Sequence, residues 1–342
     1  MSCPHGPVSL GDAFLPTRGA PVNQPATPSL HEVSQLASRI AGEMARVIEG
    51  KPHQIRMAVI VLLAEGHLLI EDVPGVGKTV LAKSLGRAIS GDVKRIQFTP
   101  DLLPSDVTGV SVFNQSTREF EFKPGGIFAH IVLGDEINRA SPKTQSALLE
   151  AMAESQVSAD GKTYQLNQPF MVIATQNPIE MEGTYPLPEA QRDRFMARIT
   201  MGYPARRSEV AMLAAQAGGD QLGSVTAVTD ADSVADAIKA VRSVYVAPVI
   251  NDYIVSIVEA TREHPDLRLG ASPRASLHLM RASRVEAALA GRDYVIPEDV
   301  RALAAEVLSH RVLPTVEAQV ARRDPAAIIT SVLASVPTPA RG

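Results

Sequence analysis

EDVPGVGKT, residues 71–79, lies between a short apolar run, His67–Ile70, and a stretch carrying Leu81, Leu85 and Ile89 at helical spacing. A glycine-bearing turn between a buried strand and a helix is the setting in which Gly-Lys-Thr becomes a phosphate-binding loop. Backbone N–H groups from Gly75 through Thr79 can surround an anion, aided by the positive end of the following helix. Gly75 and Gly77 give the loop backbone conformations that a Cβ would oppose. Lys78 offers a charge to β- and γ-phosphates, and Thr79 a hydroxyl to magnesium. The general pattern opens with glycine five positions before the Gly-Lys pair, and Asp72 stands there instead. The phosphate-facing half of the loop is nonetheless intact.

Two further apolar runs end in polar residues. IVLGDE (131–136) reads as a strand finishing in two carboxylates. Asp135 is placed to hold magnesium through water, a metal reluctant to shed its hydration shell. Glu136 is placed to activate the water that attacks the γ-phosphate. FMVIATQN (170–177) is another buried strand, after which Asn177 either senses the γ-phosphate or simply forms a turn before Pro178. With Arg95–Phe98, these runs predict a parallel sheet buried on both faces, with helices at His53–Ala64 and Thr79–Ile89 around it. Gly91 is expected to cap the second of these helices.

Residues 1–29 carry six prolines among Gly, Ser and Thr and read as a disordered leader, with an α/β domain expected over 30–205. Beyond Pro204 the strands stop. Helical stretches at about 206–216, 230–243, 248–263, 273–290, 297–310 and 325–334 predict a smaller all-helical domain over 206–335, then a flexible tail, 336–342. Pro248, Pro273 and Pro297 mark helix starts, and Gly291 a helix end. Ala217–Ser224 reads as a loop.

The 342 residues are 45% apolar and 20% charged, with a net charge of −4, which argues against nucleic acid or an anionic membrane as the main partner. The lone Cys3 excludes an intrachain disulfide framework. The longest apolar run, Met57–Ala64, is far below the roughly 20 residues that span a bilayer. With no secretory signal pattern at the start, the expected compartment is the cytoplasm.

DEINRASPKTQSALLEAM (135–152), ATQNPIEMEGTYPLPEAQRDRF (174–195) and GASPRASL (270–277) resemble the signature blocks of the MoxR family of AAA+ ATPases, and the resemblance extends over roughly 35–312. It implies an α/β P-loop NTPase fold, a parallel sheet sandwiched by helices and followed by a helical lid. It implies ATP and Mg2+ as cofactors, with Pro74, Gly75, Val76, Gly77, Lys78, Thr79 and Val80 around the nucleotide and Val47 and Ile48 near the adenine. Thr79 and Asp135 would serve the metal, and Glu136 and Asn177 the hydrolysis. Arg194 matches an arginine finger that enters a neighbouring subunit's site, and Arg274 matches a second sensor carried by the lid. Arg192, where the family usually has an apolar residue, leaves open which arginine is the finger.

The family also implies a homo-oligomer, of hexameric size, acting on a protein client with a von Willebrand factor A-like partner, in metalloenzyme maturation or complex remodelling. A DNA-dependent translocase of the same clade and a small-molecule P-loop kinase are the alternatives. Val110–Phe122 and Val157–Leu166, the latter with the turn signal Asp160-Gly161, read as hairpins. The aromatics Phe113, Phe120 and Phe122 of the first either pack in the core or face a substrate side.

Overall fold

A computed structural model describes residues 27–177, 184–210 and 222–339. Cys3, most of the leader, Pro178 and the segment after it, much of the 206–216 helix and Ala217–Ser224 loop, and the end of the tail lie outside the described residues.

The first described helix, α1 (Leu30–Ala45), is entered through Ser29. Its hydroxyl accepts the Glu32 N–H, while the Glu32 carboxylate takes the Ser29 N–H at 2.7 Å. Helix α2 (Pro52–Leu63) has an uninterrupted buried run, Met57–Leu63. A helix that is apolar all round must lie inside a core. Burial of each large aliphatic there contributes about 1.5–3 kcal/mol.

Five strands form the central sheet: β1 (Leu68–Glu71), β2 (Val93–Gln97), β5 (Ile131–Asp135), β8 (Met171–Gln176) and β9 (Ala197–Ile199). Their order is β2-β5-β8-β1-β9, and every pairing is parallel. The period of two divides the side chains between two cores. Leu68, Ile70, Ile131, Leu133, Met171 and Ile173 meet α1, α2, α3 (Lys78–Ala88) and the lid. Leu69, Val132, Val172 and Ala174 meet Phe98, Leu148 and Phe195 on the opposite face. The short helix α4 (Pro104–Thr108) and the helix α5 (Pro142–Glu154) belong to this second side.

Both expected hairpins are present. In β3 (Gly109–Asn114) and β4 (Glu119–Pro124), Phe113 and Phe120 pair edge to face yet stay exposed, so neither is a core residue. Phe122 instead stacks on Tyr164, with centroids 3.9 Å apart, tying this hairpin to the second, β6 (Gln156–Ala159) and β7 (Lys162–Gln165). Asp160 and Gly161 take φ of 50° and 74°, the left-handed pair that closes a two-residue hairpin.

Past β9 come the helices Ala231–Arg242, Pro248–Glu263, Pro273–Leu289, Pro297–Leu308, Val316–Val320 and Pro325–Ser335. Neither Val316–Val320 nor the small antiparallel ladder between Leu267–Leu269 and Leu313–Pro314 is expected from the sequence, and with that ladder the lid is not purely helical. Two or three residues are too few to display a period. At the end of α3, Ser90 rather than Gly91 holds the left-handed position, and Gly91 donates to the Gly86 carbonyl at 2.9 Å.

Candidate active site

The sheet register brings three strand ends to one edge. Glu71 pairs with Gln176 and Gln97 with Asp135, so the loop after β1, the carboxylates ending β5 and Asn177 beyond β8 share the carboxyl edge. That edge is where open α/β sheets bind ligands. A cavity of about 300 Å³ opens there, lined by Pro74, Gly75, Gly77, Lys78, Thr79, Asp135, Glu136 and Asn177, with Arg95 and Gln97 on its wall.

Gly75 and Gly77 have φ of 85° and 94°, in the left-handed region. A Cβ would meet no atom within 4 Å at either position, so backbone conformation rather than space requires glycine. Helix α3 begins at Lys78, and its first-turn amides have no partner within the helix. Asp72, where the general motif has glycine, organises the loop. Its carboxylate accepts the Val73 N–H at 2.7 Å and the Gly202 N–H at 2.5 Å, and its carbonyl accepts Lys78 Nζ at 2.6 Å. Burial pushes the Lys78 ammonium below its ordinary pKa, opposed by the charges of Asp72, Asp135 and Glu136.

The carboxylates are held by residues the sequence reading did not single out. Thr175 donates to Asp135 Oδ1 at 2.6 Å and accepts the Glu136 N–H at 2.9 Å. Arg95 donates to Asp135 Oδ2 from Nε at 3.1 Å and from Nη2 at 2.6 Å. Gln97 and Arg139 both donate to Glu136 Oε2, at 2.8 and 3.0 Å. Glu136 itself sits at φ 57°, ψ 50°. A non-glycine residue there costs roughly 1–2 kcal/mol, and Thr175 holds it in place. The only available signal was the alternation of polar Arg95 and Gln97 along β2.

Next to the loop, Ile48 is buried and lines a cavity of about 480 Å³ with Gly50, Lys51, Ile55 and Arg207. Val47 packs partly buried against the larger core, as do Val76 and Val80. Lys51 donates to the carbonyls of Gly202 and Tyr203 at 3.2 and 3.0 Å. Gly202 therefore joins this cavity to Asp72 and the phosphate loop.

Arg194 and Arg274 are elsewhere. With Lys239, Arg242, His278 and Arg281 they line a third cavity, of about 540 Å³, between the core domain and the lid. Arg194 donates to the Leu149 carbonyl. Arg192 is not on this cavity, and its Nε is buried without a partner. Asp193 joins the two domains. It accepts from the buried Arg311 at 2.7 Å and from Ser272 Oγ at 2.8 Å, and lies 3.9 Å from Arg274. Ser272 occupies the cap position of helix Pro273–Leu289, but its hydroxyl serves Asp193 rather than the helix.

The donor set fits a hydrated hard cation: a carboxylate and a hydroxyl beside an ammonium and a glycine-rich anion cradle. Among the described residues no cluster of three or more His, Cys, Asp or Glu could hold a metal by itself. No described helix is long and apolar enough to cross a membrane.

Residues 67–197 match the model of an ATPase family associated with various cellular activities, AAA, and 259–332 match an AAA lid domain. The chain is 48% identical to YeaC of Bacillus subtilis, an uncharacterised protein, over 90% of this chain and 96% of that one. It is 40% identical to chaperone MoxR1 of Mycobacterium tuberculosis over 87% and 81% of the two chains. Protein MoxR of Methylorubrum extorquens is 33% identical over 92% and 99%. A crystal structure from Cytophaga hutchinsonii, described as a candidate ATPase, superposes with a TM-score of 0.85 at 36% identity, covering 91% of this chain and 97% of that one. With this fold, this lid and these relatives, the chain belongs to the MoxR family of AAA+ ATPases, enzymes that bind and hydrolyse ATP.

Proposed function

We propose that the chain is a ring-forming, chaperone-like ATPase whose active site is divided between two copies. In this reading Lys78, Thr79 and the loop amides bind the phosphates of ATP with magnesium beside Thr79 and Asp135. Ile48 and Val47 flank the base. Glu136 takes the proton of the attacking water, and Asn177 orients that water from the neighbouring strand end. Arg194 and Arg274 then act on the nucleotide of an adjacent copy.

One observation carries this division. The two arginines share a cavity with further cations, and that cavity is not the one formed by Lys78, Asp135 and Glu136. Arg194 lines this cavity and Arg192 does not, which favours Arg194 for the finger role. A chaperone function acting on a protein client is supported by the name of the mycobacterial relative. Hexameric assembly, metalloenzyme maturation and a von Willebrand factor A-like partner rest on the family resemblance.

The test is ATP turnover across protein concentration, with assembly measured in parallel by light scattering. Specific activity should rise as subunits associate. A monomer with the same specific activity at every concentration would overturn the reading.

A further inference from the structure

Asp135 is the carboxylate best placed to serve a metal, yet both its oxygens already accept hydrogen bonds, Oδ1 from Thr175 and Oδ2 twice from Arg95. The Thr175 bond is compatible with a water-bridged cation, because it engages Oδ1 and leaves Oδ2 to other partners. The Arg95 contacts are not neutral in this way. A guanidinium donating twice to one oxygen uses the lone pairs that a hydrated magnesium would address.

Arg95 is about half exposed, 49% at the side chain, and it lines the cavity together with Lys78. A second anchor, Gln97 Oε1, accepts from Nη2 at 2.6 Å, so the guanidinium stays at the cavity wall even without Asp135. Gln97 in turn donates to Glu136. A single chain of contacts thus runs from Asp135 through Arg95 and Gln97 to Glu136.

Building on the reading of this cavity as the nucleotide–magnesium site, we infer that Arg95 is a positioning residue that competes with magnesium for Asp135 and supplies a second cation to the polyphosphate. Two consequences follow from charge alone. Arg95 strengthens nucleotide binding when magnesium is withheld, and it blunts the tightening that magnesium brings.

Binding of a fluorescent ATP analogue, measured once with EDTA and once with magnesium, tests this without recourse to turnover. The readout is the ratio of the two dissociation constants. In Arg95→Met that ratio should grow roughly fivefold or more relative to the parent, the scale of a charge-assisted contact in a half-exposed site. Arg95→Lys, which keeps the charge and loses the two-pronged geometry, should fall between them. It also serves if the methionine variant does not fold. A ratio unchanged or diminished in these variants would overturn the inference. A Lys78→Ala control separates the two levels. If that variant binds nucleotide as the parent does, the site itself is misassigned, whatever the ratio shows.

Discussion

The phosphate cavity and the arginine cavity differ in how their charge is answered. In the first, every carboxylate has a partner: Arg95 and Thr175 on Asp135, Gln97 and Arg139 on Glu136. In the second, Arg242 is paired with Glu65 and Lys239 with Asp236, whereas among the described residues no carboxylate of the lining sits directly on Arg194, Arg274 or Arg281. Asp193, shared with Arg311 and Ser272, is only a distant neighbour of Arg274. Cations that outnumber the carboxylates lining a cleft repel one another and attract anions. In the proposed reading, one cavity binds and cleaves the polyphosphate and the other supplies charges that steady it. The difference supports the proposal that a whole site takes one cavity from each of two copies.

The largest effect expected from this contrast is on turnover when the second cavity is altered. Arg194→Ala should lower kcat by about 10³-fold, as loss of an arginine finger does, while nucleotide binding by the same protein stays near the parent's. A parallel fall in affinity would place Arg194 in the binding site of its own chain. Glu136→Gln should lower turnover by about 10²-fold or more, and ATP should accumulate uncleaved on the protein. Single-turnover measurements would show equal cleavage if Glu136 were not the base.

The two cavities should also separate in their response to acid. Burial pushes His67, on the floor of the arginine cavity, down to about 4, and His278 falls well below its ordinary value through burial and the charges of Arg311 and Arg281. An unfolded chain binds protons at histidine near pH 6.5, where the folded chain does not. The stability from neutral His67 is therefore complete above about pH 6.5 and is lost as pH falls toward 4. The loss amounts to about 3 kcal/mol at one pKa unit per 1.36 kcal/mol. Urea unfolding between pH 7.5 and 4.5 should show this slope, reduced in His67→Gln.

The smallest expected effect is on the phosphate side. Thr175→Val removes a buried hydroxyl that serves both Asp135 and the Glu136 amide, and should destabilise by about 1–3 kcal/mol. Its turnover should fall more than its ATP affinity. A loss of stability with unaltered turnover would make Thr175 a packing residue only.

Much of this was legible from the chain. Strands β1, β5 and β8 are buried on both faces and therefore appear as unbroken apolar runs, and the loop motif is local, so its spacing survives in sequence. Strand β2 carries exposed Lys94 and Arg95 and blurs that signal. Three residues make up β9, whose Arg198 is neutralised by Glu71 from 127 positions away, and no periodicity can announce such a pair. The same limit hid the partners of Asp135 and Glu136. Arg95 reaches Asp135 because β2 and β5 pair in one register, 40 positions apart. Asp193 binds Arg311 and Ser272 across the domain boundary, a contact that no motif encodes.

The central claim, an active site shared between copies, is tested most directly by mixing two inactive variants. Lys78→Ala should lack a working phosphate cavity but retain its arginines, and Arg194→Ala the reverse. Co-assembled, they create seams with an intact half from each, so ATP turnover by the mixture should rise well above the sum of the two alone. Turnover equal to that sum, in mixtures shown to contain both variants in one assembly, would contradict the account.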